Sequence, residues 1–104
     1  MTDRELLEAA AKAAGIGGGW DWPRGAKEPV FWRDAGGKAW QPLTDDGDCA
    51  RLEADLLLHV EWHPAAKTAY VGTAEIGCTQ PWGNDRQSAR RYAAVRAAAA
   101  MVKA

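Results

Sequence analysis

The chain has 104 residues, of which 47% are hydrophobic and 26% are charged. These proportions are those of a soluble globular protein, so they exclude disordered, collagen-like and membrane proteins, and the length predicts a single domain over residues 1–104. Thirteen basic and 14 acidic side chains leave a formal net charge of −1, which gives no overall field that would attract nucleic acid or an anionic membrane. Tryptophan is unusually frequent, with six of the nine aromatic residues.

The sequence indicates a cytoplasmic protein without a membrane partner. Residues 1–5 lack the basic and then apolar run of a signal peptide, and no stretch approaches the ~18 apolar residues of a membrane span. Cys49 and Cys78 form neither a CxxC motif nor the dense cysteine framework of a small secreted domain, which favours a reducing compartment.

A first helix is predicted over residues 3–14. Thr2 and Glu5 have the spacing of a capping box, and Gly15 stands where a left-handed residue would end the helix. The Gly-rich stretch over residues 15–25 is too flexible for a regular element unless its tryptophans hold it in place, so it predicts an ordered loop.

Two β-hairpins are predicted further along the chain. In the first, residues 30–33 and 38–41 flank a turn at residues 34–37. In the second, a turn at residues 64–67 leads to a strand at residues 68–73. The strand before that turn has the period-2 alternation of a half-buried strand, and its inward side chains are Leu58, Val60 and Trp62.

Two further helices complete the predicted elements. The second helix begins near Asp46 or Asp48, in an acidic cluster, and runs to about Leu56. The last follows a loop over residues 77–83, is capped at position 84 or 85, and reaches about position 102. Because this last helix is rich in alanine, both of its sides can pack.

The element order is therefore α, β-hairpin, α, β-hairpin, α. Short antiparallel strands with one apolar face, interspersed with helices, predict an α+β fold. We expect an antiparallel sheet of about four short strands covered by three helices, with a three-layer α/β/α sandwich as one arrangement.

Residues 40–52, which read Trp-Gln-Pro-Leu-Thr-Asp-Asp-Gly-Asp-Cys-Ala-Arg-Leu, resemble the central signature of the phage ABA sandwich domain family of small tailed-bacteriophage proteins. The Ala-rich end of the first helix at residues 10–15 and the Arg- and Ala-rich segment at residues 90–100 are also similar to the family pattern. The chain departs from the pattern at Gln41, where members more often carry Asn, and over residues 16–32. The resemblance implies a sheet between helical layers and a phage or prophage origin, and it brings no catalytic activity.

His59, Glu61 and His63 project from one side of a predicted strand, where neighbours at i and i+2 can share a metal ion. The two histidines, however, are about 13 Å apart along a strand that rises ~3.3 Å per residue, so one ion cannot reach both without a bend or bulge. A polar face exposed to solvent is the alternative interpretation of the same residues.

Other motifs that carry chemistry are incomplete. Asp45, Asp46 and Asp48 lack the alternating ligand pattern of a calcium loop and suit the start of a helix instead. The glycines at positions 15–19 complete no phosphate-binding motif, and the cysteines have no base nearby in the sequence pattern. We therefore predict no catalytic residue, no metal site and no cofactor.

The charges are unevenly distributed along the chain. Residues 84–104 hold five basic residues and one acidic residue, whereas residues 41–63 hold six acidic residues and one arginine. A basic last helix beside aromatic residues could bind nucleic acid. Opposite charges could equally meet inside the fold or between two protomers, which leaves a homo-oligomer open.

The tryptophans fall into two groups. Trp32, Trp40 and Trp62 lie in or beside predicted strands and are expected in the core. Those in loops either hold the loops to the body or contact a partner. The leading hypothesis is a non-catalytic accessory protein that binds a host or phage protein, such as a host defence protein, through Trp20, Trp22, Trp82, Arg86 and Arg90. Binding of nucleic acid through the last helix is the alternative.

Overall fold

The computed structural model describes residues 2–22, 24–25, 27, 29–32 and 39–103. That part of the chain contains three helices and five strands. They are α1 (Asp3–Ala13), β1 (Gly19–Asp21), β2 (Val30–Trp32), α2 (Asp46–Asp55), β3 (His59–His63), β4 (Thr68–Gly72), β5 (Gly77–Pro81) and α3 (Arg86–Lys103). The predicted α+β class is confirmed, and the predicted order α-ββ-α-ββ-α matches roughly, with three strands instead of two between α2 and α3.

Local signals set both ends of α1. The hydroxyl of Thr2 accepts a hydrogen bond from the Glu5 backbone N–H, and the Glu5 carboxylate accepts one from the Thr2 N–H, which completes the predicted capping box. Gly15 has φ 73°, in the left-handed region. Its N–H and that of Ile16 donate to carbonyls of the last turn, so the predicted glycine cap ends the helix.

The acidic cluster builds the start of α2. The Asp45 carboxylate accepts a hydrogen bond from the Asp48 N–H at 2.8 Å and caps the helix. The Asp48 carboxylate in turn accepts from the Gln41 N–H at 2.9 Å and from Arg51 Nη2 at 2.6 Å. These carboxylates are therefore engaged in local structure, as their position at a helix start predicts.

At the end of α2 a leucine adopts the left-handed backbone conformation that glycine usually adopts there. Leu57 has φ 56°, and its side chain is 85% exposed. The next residue, Leu58, donates its N–H to the Glu53 carbonyl at 2.8 Å, as in a helix end that normally carries glycine at the preceding position. A left-handed L-residue costs about 1–2 kcal/mol, so this turn stores strain.

A three-stranded antiparallel sheet, in the order β3-β4-β5, contains the second predicted hairpin. The prediction of a loop over residues 77–83 was wrong for residues 77–81, which form β5 and pair with β4. Gly77 and Pro81 look like loop residues in the sequence. In the fold, the Tyr70 ring lies against Gly77 where a side chain would be, and Pro81 ends an edge strand, where proline is tolerated.

A second, two-stranded sheet lies in the Gly- and Trp-rich region. The prediction of a loop over residues 15–25 was wrong for β1, which pairs antiparallel with β2 and places Trp20 opposite Phe31. Of the predicted return strand over residues 38–41, Ala39 forms an isolated antiparallel bridge with Trp32, and the Trp40 N–H donates to the Phe31 carbonyl at 2.8 Å. The predicted turn at residues 34–37 lies outside the described residues.

Helix α3 lies at the centre of the protein. One side packs against α1, and the other packs against β4 and β5. The layer order is therefore sheet, α3, α1, with two small sheets, and differs from a single sheet enclosed between helices. Small side chains permit this close packing on both sides of α3. Its fully or almost fully buried residues are Ala89, Ala93, Ala94, Val95, Ala97, Ala98 and Ala99.

Candidate functional site

A groove lies where the β3–β4 turn, the end of β5 and the start of α3 meet. Its volume is about 720 Å³, within the range of about 300–1,000 Å³ typical of ligand-binding clefts. Its apolar lining comes from two tryptophans and a proline, and its polar lining from the segment that leads into α3. The lining residues are Trp62, Pro64, Trp82, Gly83, Asn84, Asp85, Arg86 and Gln87.

Strand pairing brings the two tryptophans together. Trp62 lies opposite Ala69 near the end of β3, and Pro81 lies opposite Thr68 at the same end of the sheet. Trp82 follows Pro81, and its backbone N–H donates to the carbonyl of Lys67 at 2.9 Å. The two indole rings meet edge to face, with centroids 6.3 Å apart and an angle of 68° between their planes, an arrangement that aromatic pairs favour.

Arg86 adds a cation to this aromatic pair. Its guanidinium carbon lies 5.3 Å from the centre of the Trp82 ring, within the distance of a cation–π interaction. Within the described ranges no carboxylate forms an ion pair with Arg86. The neighbouring Asp85 is engaged, because its carboxylate accepts from the Gln87 N–H at 3.0 Å and lies 3.7 Å from Arg91. The groove therefore presents apolar rings next to a positive charge.

No family model, curated protein or solved structure matches this chain. None of the described helices combines the length and the apolarity needed to cross a membrane.

Trp62 is the groove residue that the sequence did not assign to a site. The alternation in β3 predicted it as a core residue, but its surface is 41% exposed. It shares the inward face with Ala69, yet it lies at the rim, where α3 begins, and packs against Trp82 instead of the buried alanines. Its place as the last inward residue of a strand, one residue before that strand ends, was the available signal.

Trp20 holds β1 to α1. Its indole N–H donates to the Glu8 carboxylate at 2.6 Å, its ring meets Phe31 edge to face at 5.3 Å, and the Arg4 guanidinium lies 4.8 Å from the ring centre. Trp22 directly follows β1 and is 61% exposed. The lining of the groove contains neither Trp20 nor Trp22, so the structure separates these two predicted contact residues from Trp82.

Arg90 points into the fold. Its guanidinium donates to both carboxylate oxygens of Glu53, at 3.0 and 2.5 Å. The Arg90 and Glu53 side chains are only 18% and 9% exposed, and this ion pair joins α3 to α2. The hydrogen bond with Glu53 raises the pKa of Arg90 above its usual value and keeps the guanidinium charged.

Arg91 is neutralised in the same way. Its guanidinium donates to the Asp46 carboxylate at 2.6 Å and to the Leu43 carbonyl at 2.9 Å. The basic last helix and the acidic second helix therefore meet inside the fold, which was one of the two arrangements that the charge distribution left open. Of the predicted basic contact residues, Arg86 lines the groove and Arg90 does not.

The polar face of the sheet contains the histidines that suggested a metal site. His59 Nε2 lies 3.5 Å from the Glu61 carboxylate, and His59 also contacts the Tyr70 ring at 5.5 Å. His63 pairs with Thr68 at the opposite end of the strand. The described residues contain no group of three or more His, Cys, Asp or Glu side chains placed to hold a metal ion.

The Cys49 thiol is held in its neutral form. The residue lies on α2 and is fully buried in a cluster with Val71, Ala93 and Ala94, and its thiol lies 3.8 Å from the Glu53 carboxylate. Burial, and then the negative charge of Glu53, raise the pKa of Cys49 to about 12. Because the thiolate is the nucleophilic form, this cysteine is unreactive near neutral pH.

Proposed function

We propose that this protein is a small non-catalytic binding protein whose contact surface is the groove formed around Trp62, Trp82 and Arg86. The observation that carries the proposal is a tryptophan pair, with Trp62 41% exposed and Trp82 partly buried, beside an arginine that has no carboxylate partner in the described part of the chain. Tryptophan and arginine are the residues most enriched among those that dominate binding energy at protein interfaces. Tryptophan is normally highly buried in an isolated domain, so the exposure of Trp62 beside Arg86 favours a role in contact.

A protein partner is favoured over nucleic acid by the charges on α3. Binding along a nucleic-acid backbone needs several cations that can each approach a phosphate. Arg90 and Arg91 are engaged with Glu53 and Asp46, which leaves Arg86 as the arginine at the groove. A protein interface needs only a few strong contacts, and the groove offers them.

The absence of a reactive group in the groove supports a non-catalytic role. Asp85 is the carboxylate in the lining, and it is engaged by the Gln87 N–H and by Arg91. Cys49 is protonated and lies in the core. An acid, base or nucleophile with a matched partner, which hydrolysis or group transfer requires, is not assembled among the described groove residues.

One part of the proposal rests on sequence resemblance. It is that the protein has a phage or prophage origin and acts in the cytoplasm of a bacterial host on a host or phage protein. The support is the segment at residues 40–52. The similar segments at residues 10–15 and 90–100 add to it. In the fold the acidic residues of the segment at residues 40–52 hold the start of α2.

Affinity capture from a bacterial lysate, carried out with and without nuclease treatment, tests the proposal. The bait proteins are the wild type, Arg86→Glu and Trp62→Ser, with Trp22→Ser as the control because Trp22 is exposed but does not line the groove. We expect a protein that the wild type and the control retain and that both groove variants lose. Capture that disappears with nuclease would instead support the nucleic-acid alternative, and capture unaffected by both groove variants would reject the groove as the contact surface.

A further inference from the structure

The chemistry of the groove narrows the class of partner. Trp62 provides a partly exposed indole ring, and Pro64 extends the apolar surface toward the β3–β4 turn. Arg86 places positive charge beside these rings, and the exposed Lys67 lies in the neighbouring turn, where its carbonyl accepts a hydrogen bond from the Trp82 N–H. The described residues provide no carboxylate that pairs with either cation.

We propose that the groove binds an extended, proline-containing peptide segment that carries an acidic side chain close to the proline. This inference rests on the protein-binding role proposed above and names the chemistry of the partner. Proline rings pack well on the flat faces of tryptophan, and a polyproline II segment is already extended, so it loses little conformational entropy on binding. A carboxylate beside the proline would neutralise the Arg86 guanidinium by accepting a charge-assisted hydrogen bond from it.

The number of cations separates a peptide from single-stranded nucleic acid, which also stacks on tryptophan. Such strands are bound in grooves whose positive charge follows the backbone over several nucleotides. Two of the arginines on α3 are committed to carboxylates of α2, and Arg86 is the arginine of α3 that lines the groove. A peptide with one carboxylate needs no more than Arg86 provides.

Selection from a random 12-residue peptide library against the immobilised full-length protein tests the inference. We expect the wild type to enrich sequences in which proline and Asp or Glu occur together. Arg86→Glu should keep the preference for proline and replace the acidic residues with Lys or Arg, whereas Trp62→Ser should lose the preference for proline. Trp22→Ser is the matched control and should select as the wild type does.

Arg86→Glu is expected to fold like the wild type, so a change in its binding cannot be attributed to misfolding. Arg86 is exposed at the first position of α3, where a negative side chain interacts favourably with the helix dipole. A circular dichroism spectrum and an unfolding midpoint like those of the wild type are therefore expected. Its affinity for an acidic peptide selected by the wild type should fall at least about tenfold in a calorimetric titration, because an attractive charge pair becomes repulsive.

Three results would overturn the inference. The first is a set of selected peptides without proline or without acidic residues, and the second is an unchanged acidic preference in Arg86→Glu. The third is tighter binding of a 12-nucleotide oligo(dT) than of any selected peptide, with an affinity that falls steeply as salt rises. If any of them is found, and a protein is still captured through the groove after nuclease treatment, the acidic, proline-containing peptide is rejected as the partner while the proposed protein-binding function stands. Loss of groove dependence in the capture experiment would reject both.

Discussion

Replacing Glu53 with glutamine should strongly destabilise the fold. The change leaves the shape of the side chain but removes the charge that Arg90 contacts through two hydrogen bonds, at 3.0 and 2.5 Å. With the side chains 18% and 9% exposed, the pair counts as largely buried. Removing one partner of a buried ion pair costs about 3–5 kcal/mol, because it leaves the other charge without compensation.

The expected cost for Glu53→Gln is somewhat lower than that range. The new amide can still accept one hydrogen bond, and Arg90 also donates to Gln87 at 3.3 Å. We therefore expect a loss of about 2–3 kcal/mol in the free energy of unfolding. For a domain of this size that corresponds to a fall of roughly 10–20 °C in Tm.

Urea unfolding followed by tryptophan fluorescence measures this loss, and Asp55→Asn is the matched control. Asp55 is an exposed carboxylate on the same helix, and its neutralisation should change stability by no more than about 0.5 kcal/mol. A double-mutant cycle with Arg90→Gln should give a coupling energy above about 1 kcal/mol. Equal stability of Glu53→Gln and Asp55→Asn would refute the view that this ion pair joins α2 to α3.

Three further predictions concern packing, strain and the buried thiol. Gly77→Ala should lower the free energy of unfolding in urea by about 1–3 kcal/mol, because the new Cβ would lie 2.2 Å from the hydroxyl oxygen of Tyr70. Gly17→Ala is the control and should leave the free energy of unfolding unchanged, because no atom lies within 4 Å of its Cβ. Leu57→Gly should raise the unfolding free energy by about 0.5–1 kcal/mol by relieving its left-handed conformation, and a measured loss would show that the exposed side chain stabilises the fold. Because burial and a nearby carboxylate raise the pKa of Cys49 from 9.0 to about 12, its neutral thiol stabilises the fold fully below pH 9 and progressively less as the pH rises to 12. Mass spectrometry after native alkylation at pH 8 should find Cys49 unmodified, and modification at the rate of a free thiol would contradict its burial.

Features that depend on neighbours in the sequence were predictable. The capping box of α1, the left-handed Gly15 and the acidic cap of α2 each involve groups within a few residues of one another, so the sequence pattern contains all the partners. The hairpin of β3 and β4 was predictable for the same reason, because a short turn brings alternating strands into register.

Features that depend on distant partners were not predictable in the same way. β1 and β5 are strands because of what they pair with and what packs on them, such as the Tyr70 ring over Gly77. In the sequence their glycine and proline content is typical of loops. The sheet–α3–α1 layering likewise depends on packing between elements, which the alanine content of α3 permits but does not specify.

Some residues of the candidate site were predictable from the sequence, and those that depend on distant partners were not. Trp82 and Arg86 were assigned to a contact surface from the sequence, because loop tryptophans and unpaired arginines are typical of interfaces. Arg90 was assigned with them, but its partner, Glu53, lies 37 residues away along the chain. Trp62 was placed in the core because period-2 alternation identifies the face of a strand and not where the covering helix begins.

Photo-crosslinking tests the central claim, that the groove contacts a protein partner, most directly. A photoreactive amino acid is placed at Asn84, an exposed groove residue, and in a separate variant at Glu75, which is exposed and does not line the groove. After irradiation in nuclease-treated bacterial lysate, we expect a discrete protein adduct from position 84 that is absent from position 75 and is lost when Arg86→Glu is added. An adduct from position 75 alone, or one at position 84 that Arg86→Glu leaves unchanged, would contradict it.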